Sequence, residues 1–217
     1  MMNTIVCGDA RTLAPTLTYD YVFTSPPDFD EVGSTVDLTA YQTFLSELFV
    51  LFRPRLGLIT VAFTDRKHRS TIVPKHLALY HAMTDLGYTL RSHKIWVKSD
   101  KINLFRLTYG NVMTFSTGVW RAARQSQDAS FAPDVWNDGY GHYEQYTYGM
   151  PVMVPVRCIR NYTPPESIVY DPFMGSGTTA IAARDTGRCY LGTELDPTVH
   201  ALAETRLALH AARFPDA

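Results

Sequence analysis

Cysteine is scarce in this 217-residue sequence: Cys7, Cys158 and Cys189 are all there is, at unrelated spacings. An odd number so scattered makes neither a disulfide framework nor a zinc site, and burial as small apolar residues is expected for all three. No run of about eighteen apolar residues occurs, so no membrane-spanning helix is expected. The opening residues, MMNTIVCGDARTL, lack the basic start and apolar stretch of a secretory signal, and a cytoplasmic location is the expectation. Acids are the most telling shortage. Between Arg53 and Arg124 there are three Asp and no Glu against thirteen Lys and Arg, although the whole chain carries only −1. Stretches of opposite sign suggest one face suited to a polyanion. A merely solvated basic face is the plainer alternative.

What is present fits one α/β domain over residues 1–217, with an apolar share of 46%. Ile5-Val6, 20–24, Leu58–Phe63, 88–97, 111–117, 167–170 and 189–193 read as strands. Amphipathic or capped stretches at 41–52, 72–86, 152–161, 177–185 and 197–213 read as helices. Strands and helices alternating at this spacing predict a mostly parallel, doubly wound sheet with helices on both faces, three layers in all. Residues about 121–149, rich in Gly, Gln, Asp and Tyr without a clear period, read as an irregular insertion.

Two segments carry chemistry. Asp171-Pro172-Phe173-Met174-Gly175-Ser176-Gly177-Thr178-Thr179 lies between a strand and a helix. Its glycines allow a tight turn and close approach of a ligand to the backbone. No lysine follows, which argues against a nucleoside triphosphate loop. Gly175-x-Gly177-x-x-Ala180 is also a weak dinucleotide fingerprint, so an NAD-dependent oxidoreductase stays open at this point. Glu194, about twenty residues on at the end of the next strand, is placed to accept from ribose hydroxyls. Asp196 before Pro197 reads instead as a helix cap. The second segment, Thr24-Ser25-Pro26-Pro27-Asp28-Phe29, follows a buried strand directly. It sets a stiff loop at the sheet's carboxyl edge, where the Ser25 hydroxyl and backbone carbonyls can accept from an amino group. A structural Pro-Pro turn is an equal reading of that segment alone.

Taken in order, the segments resemble the amino-methyltransferases of DNA that act on N4 of cytosine or N6 of adenine. The Pro-Pro loop precedes the glycine loop, as in the circularly permuted β class of that family. The likeness also covers Cys7-Gly8-Asp9-Ala10, Ile95–Lys98, Asp134–Trp136 and Met150–Pro155, although Met150 stands where histidine is more usual. It implies a Rossmann-like methyltransferase fold with an antiparallel hairpin at the sheet edge, and S-adenosyl-L-methionine as cofactor. The implied cofactor residues are Asp9, Ala10, Thr24, Met153, Pro155, Asp171, Pro172, Phe173, Gly175, Ser176, Gly177, Thr178, Thr179, Glu194 and Leu195. The implied catalytic loop is Ser25, Pro26, Pro27, Asp28 and Phe29. Asp28 stands where the family carries an aromatic that stacks on the target base. A one-residue shift would hand that role to Phe29; Asp28 could instead contact the base edge, or activity could be lost.

The resemblance also implies direct in-line methyl transfer without a covalent enzyme intermediate, on a base that is flipped out or single-stranded. Serine in the Pro-Pro loop leans toward N4 of cytosine, with adenine N6 the alternative and an RNA base or a catalytically weak nucleic-acid-binding relative behind it. DNA, double- or single-stranded, is the expected partner, with no membrane partner. Arg66, Lys67, Arg69, Lys94, Lys98, Lys101 and Arg106 are the candidate contacts to its backbone. The shortness of 121–149 predicts a small target-recognition segment, hence a short or loose site or help from a homodimer. No metal site is expected.

Overall fold

Leu58–Phe63 is buried at all six positions and Tyr21–Thr24 at all four. Runs buried on both faces need a layer of helices on each side of the sheet. A computed structural model, which describes residues 2–29, 37–98, 107–118, 129–139, 141–143 and 146–214, has that arrangement. In chain order its elements are β1 (Thr4–Cys7), α1 (Ala10–Leu13), β2 (Tyr21–Thr24), α2 (Leu38–Phe49), β3 (Leu58–Phe63), β4 (Arg66–His68), β5 (Thr71–Val73) and α3 (Lys75–Asp85). They continue with β6 (Thr89–Val97), β7 (Tyr109–Ser116), β8 (Val135–Trp136), β9 (Gly141–Tyr143), β10 (Tyr146–Gly149), α4 (Met153–Tyr162), β11 (Ile168–Asp171), α5 (Thr178–Arg184), β12 (Cys189–Glu194) and α6 (Pro197–Arg213).

Eight strands form the main sheet in the order β1-β12-β11-β2-β3-β7-β6-β8. The first five are parallel; β7 runs against both β3 and β6. Two reversals restore direction, so β6 points its carboxyl end to the same edge as β2 and β3. Tyr41, Leu45, Leu48 and Phe49 of α2 and Ala78, Leu79, Ala82 and Met83 of α3 join Val22, Ile59 and Val61 in one core. Val154, Val156, Cys158 and Ile159 of α4 and Ala182 and Ala183 of α5 close the opposite face with Tyr21, Phe23 and Leu58. α6 lies beside α5, where Ala203 and Leu207 meet Ile5 and Ile181. Asp196 caps α6 by accepting from the Thr198 and Val199 N–H groups, as the Asp-Pro pair predicts.

The structure departs from the sequence reading in three places. Ile72 and Val73, read as the start of a helix, belong with Thr71 to a strand that pairs with Arg66–His68 as a hairpin, and α3 begins only at Lys75. Within the segment read as irregular, Val135 and Trp136 extend the main sheet beside β6, and β9 pairs with β10. Of the cysteines only Cys158 is buried; Cys7 is exposed and Cys189 lies between.

Candidate active site

β11 leads through α5 to β12 on one side, whereas β2 leads through α2 to β3 on the other. The sheet's winding therefore reverses between β11 and β2, and a crevice opens outside their carboxyl ends, the usual ligand position in such sheets. Both chemical loops hang from this edge.

The glycine loop is held by a buried bracket. Asp171 accepts from the Thr24 hydroxyl at 2.8 Å, the Thr179 hydroxyl at 2.6 Å and the Phe173 N–H at 3.0 Å. Burial pushes its carboxyl up to about 6, against the pull of those three donors. Asp171, Thr24 and Thr179 are all buried, and their polar atoms face one another. They tie the end of β2 to the loop. Thr178 is likewise buried, and Arg206 of α6, unforeseen in the sequence, donates to its hydroxyl and to Ser176. Ala10 and Pro155 are buried too, in α1 and α4. Pro172 is buried, with its carbonyl accepting from Thr193.

Other expected residues reach solvent at the crevice. Glu194 accepts from the Gly175 N–H at 2.9 Å and the Asp196 N–H at 3.0 Å, fixing the turn. Gly175 has φ +53° and Gly177 φ +84°, the left-handed region that suits glycine. A Cβ on Gly175 would meet nothing nearer than the Phe173 carbonyl at 3.9 Å, so the loop opens onto free space there. Leu195 and Met153 are exposed, and Phe173, Ser176 and Asp9 partly so. Asp9 caps α1 and pairs with Arg11 at 2.7 Å; the Arg11 bond holds its carboxyl below the usual value.

Next to the crevice lies a cleft of about 270 Å³, built from the carboxyl ends of three strands. The loop after β2 contributes Ser25, Pro26 and Asp28; the end of β3 contributes Ala62 and Phe63, with Thr64 just beyond it; the end of β6 contributes Trp96, with Lys98 just beyond it, and Lys75 and Met150 complete the lining. A Cβ on Gly110 of β7 would stand 3.0 Å from the Trp96 ring, so glycine there lets the indole lie against the sheet. Tyr41 braces the loop by donating to the Pro27 carbonyl at 2.9 Å.

Asp28 lines this cleft as a paired carboxylate. Lys75 Nζ stands 3.2 Å from one oxygen and Arg66 Nη1 3.3 Å from the other. Burial acts to raise the carboxyl, but the Lys75 ammonium, the Phe29 N–H and Arg66 outweigh it and hold it below the usual value. Burial pulls the Lys75 ammonium down, against the attraction of Asp28 and Asp65. Lys75 carried no motif signal; only the fold brings it here.

A family model of DNA methylases of the N6/N4 type matches residues 19–205. The chain belongs to this family of DNA methylases. An Escherichia coli K12 protein named as a methylase, YubD, is 26% identical over 218 residues, 95% of this chain and 91% of that protein. The crystal structure of TTHA0409 from Thermus thermophilus, described as a DNA modification methylase, superimposes with a TM-score of 0.77 at 25% identity, covering 96% of this chain and 95% of that one. The PvuII DNA methyltransferase, described as cytosine-N4-specific, shares the fold with a TM-score of 0.81 at 18% identity, over 95% and 86% of the two chains. Against two type II methyltransferases the chain spans about half of their length, 49% in each.

In this methylase three further expectations need correction. Phe29 is fully buried and packs on Tyr41 with ring centroids 4.6 Å apart, so it is core and has no face free for a base. Lys94 is buried, donating to the Ala132 carbonyl and Asp134, because its side chain lies on the covered face of β6. Lys98 turns into the cleft, where it donates to the Thr64 hydroxyl at 2.7 Å, instead of facing open solvent. Of the remaining basic candidates, Arg66, Lys67 and Arg69 lie on or beside the β4–β5 hairpin, while Lys101 and Arg106 lie outside the described residues. No cluster of His, Cys, Asp and Glu suited to a metal ion occurs among the described residues. Nor is any described helix long and apolar enough to cross a membrane.

Proposed function

We propose that this DNA methylase transfers a methyl group from S-adenosyl-L-methionine to the exocyclic N4 of cytosine in DNA. The observation that carries the reading is the position of Ser25 and Pro26: they line a base-sized cleft directly beside the crevice at the winding reversal. The open space over Gly175 fits a bulky ligand held against the backbone beside Glu194, and the exposed or partly exposed Phe173, Ser176, Leu195, Asp9 and Met153 are its candidate contacts. Asp171, Thr24, Thr178 and Thr179 hold the loop from behind. When bound, the cofactor supplies an electrophilic methyl group on a sulfonium.

An exocyclic amine is a poor nucleophile because its lone pair is delocalised into the ring. The Ser25 hydroxyl and the Pro26 carbonyl accept from its N–H groups and favour a pyramidal nitrogen, whose lone pair turns toward the crevice. Acceleration comes from positioning and electrostatics, with no covalent enzyme intermediate. The amine proton leaves to water or to Asp28, the carboxylate that lines the cleft among the described residues. Arg66 and Lys75 keep Asp28 ionised and hold it in a place where a stacking ring would otherwise stand. The cleft lies at the carboxyl edge of the sheet, and a base within a duplex reaches it only when flipped or already unpaired.

Nucleoside mass spectrometry of DNA from cells expressing the protein tests the assignment. N4-methylcytosine is the expected product, and Ser25→Ala should lower its formation by about a hundredfold or more, as for loss of an aligned hydrogen bond to the reacting group. N6-methyladenine as the sole product would sink the choice of base, and no modified base at all would sink the activity.

A further inference from the structure

Among the described residues the β4–β5 hairpin forms a two-stranded sheet of its own. Its register, Arg66 opposite Val73, Lys67 opposite Ile72 and His68 opposite Thr71, leaves Arg69 and Ser70 as a two-residue turn. Side chains of paired residues share a face, and alternate pairs face opposite ways. Arg66 and Val73 face the protein, where Arg66 meets Asp28 on the cleft and Val73 packs on the core. Lys67 and Ile72 therefore face outward, and Ile72 is half exposed. Arg69 and Ser70 have φ of +45° and +64°. Two-residue hairpins ask for left-handed residues at both turn positions and normally use Asn or Gly. Arginine and serine are strained there, and strain of that kind concentrates at functional sites. No acid occurs from Arg66 to Thr84.

We propose that this hairpin enters the major groove of duplex DNA beside the target base and reads sequence there. A two-stranded ribbon fits that groove, which is about 12 Å wide. Arg69 at the tip offers the fork that matches the two acceptors of guanine, and Ile72 offers an apolar contact for a thymine methyl. Lys67 on the same outward face meets phosphates. The Arg66–Asp28 pair then joins the reading element to the base cleft, so recognition and base placement share one rigid support. That gives Asp28 a purpose that an aromatic could not serve. The proposal rests on DNA being the substrate and adds what selects the site.

The test is binding-site selection from random duplex DNA by the full chain with S-adenosylhomocysteine, together with anisotropy titrations on the selected duplex. Arg69→Asn/Ser70→Gly keeps the turn geometry and should hold or raise the melting temperature, so loss of binding cannot be blamed on unfolding. It should weaken binding at least fivefold and broaden the selected sequence at one or two positions. Ile72→Thr should relax one further position with little effect on non-specific affinity. Affinity within twofold, or a uniform loss with an unchanged selected sequence, would overturn the proposal. Because selection needs no turnover, a wild-type protein that modified no base while its hairpin variants lost selectivity would refute the functional reading alone.

Discussion

The two sides of β2 solve the same problem, a polar loop at a sheet edge, with different chemistry. Toward β11 the loop is fastened by a buried carboxylate that takes three neutral donors, Thr24, Thr179 and the Phe173 N–H. Toward β3 and the hairpin the polar groups are charged: Asp28, about a third exposed, lies between the buried Lys75 and the partly exposed Arg66. The first arrangement is stiff and hidden, and it suits a loop that must present the same backbone at every turnover. The second keeps positive charge near an entrance that a polyanion must approach. Hidden carboxylates are expensive unless every oxygen is served, whereas the partly exposed Asp28–Arg66 pair is cheap and easily screened.

Removing the hidden carboxylate should do the most damage. Asp171→Ala would strand two buried hydroxyls and an N–H; we expect a loss of about 3 kcal/mol, a drop of roughly 6–12 °C in Tm for a chain of this size, and weakened binding of S-adenosylhomocysteine by calorimetry. An unchanged Tm would mean that the bracket holds nothing.

The two carboxylates should also answer pH with opposite sign. Asp171 titrates near 6 in the fold against 3.8 when free, so folding favours its proton. Its contribution is present below about 3.8 and lost as pH rises through about 6. Asp28 is held below 3.8, so its contribution is present above that value and lost as pH falls below it. The Tm difference between wild type and Asp171→Asn should therefore shift against the wild type between pH 4 and 6.5. The difference for Asp28→Asn should shift against the wild type only on going below pH 4. Parallel curves for the two variants would erase the distinction between the two sides.

The smallest effect is expected at Lys94. Its ammonium is already engaged by Asp134 and the Ala132 carbonyl, so Lys94→Met should change DNA affinity less than twofold and leave the salt dependence intact. A salt slope reduced by about one unit would restore Lys94 as a phosphate contact.

Much of this arrangement was legible before any coordinates. Fully apolar runs such as Leu58–Phe63, glycines at 175 and 177, and Asp196-Pro197 at the start of α6 are local signals, and each occurs where local physics puts it. The hairpin was illegible for an equally local reason. Its turn is Arg-Ser, without the glycine or asparagine that announces such a turn, and the β-branched Thr71-Ile72-Val73 abuts a true helix. Lys94 and Phe29 failed differently. Both sit beside informative motifs, but whether a side chain on a strand or loop points in or out depends on what packs against it.

The amino-acid sequence by itself determined the element order, the two loops and their placement at strand ends, because turn chemistry and hydrophobic period act over a few residues. It also determined the family, through the ordered set of short motifs. The tertiary structure alone decided which carboxylate is hidden and which is paired. It brought Lys75 and Arg66 to Asp28 across 47 and 38 positions and Thr24 to Asp171 across 147. Such contacts cost chain entropy to close and are repaid only by the packed sheet as a whole, so no window of sequence announces them.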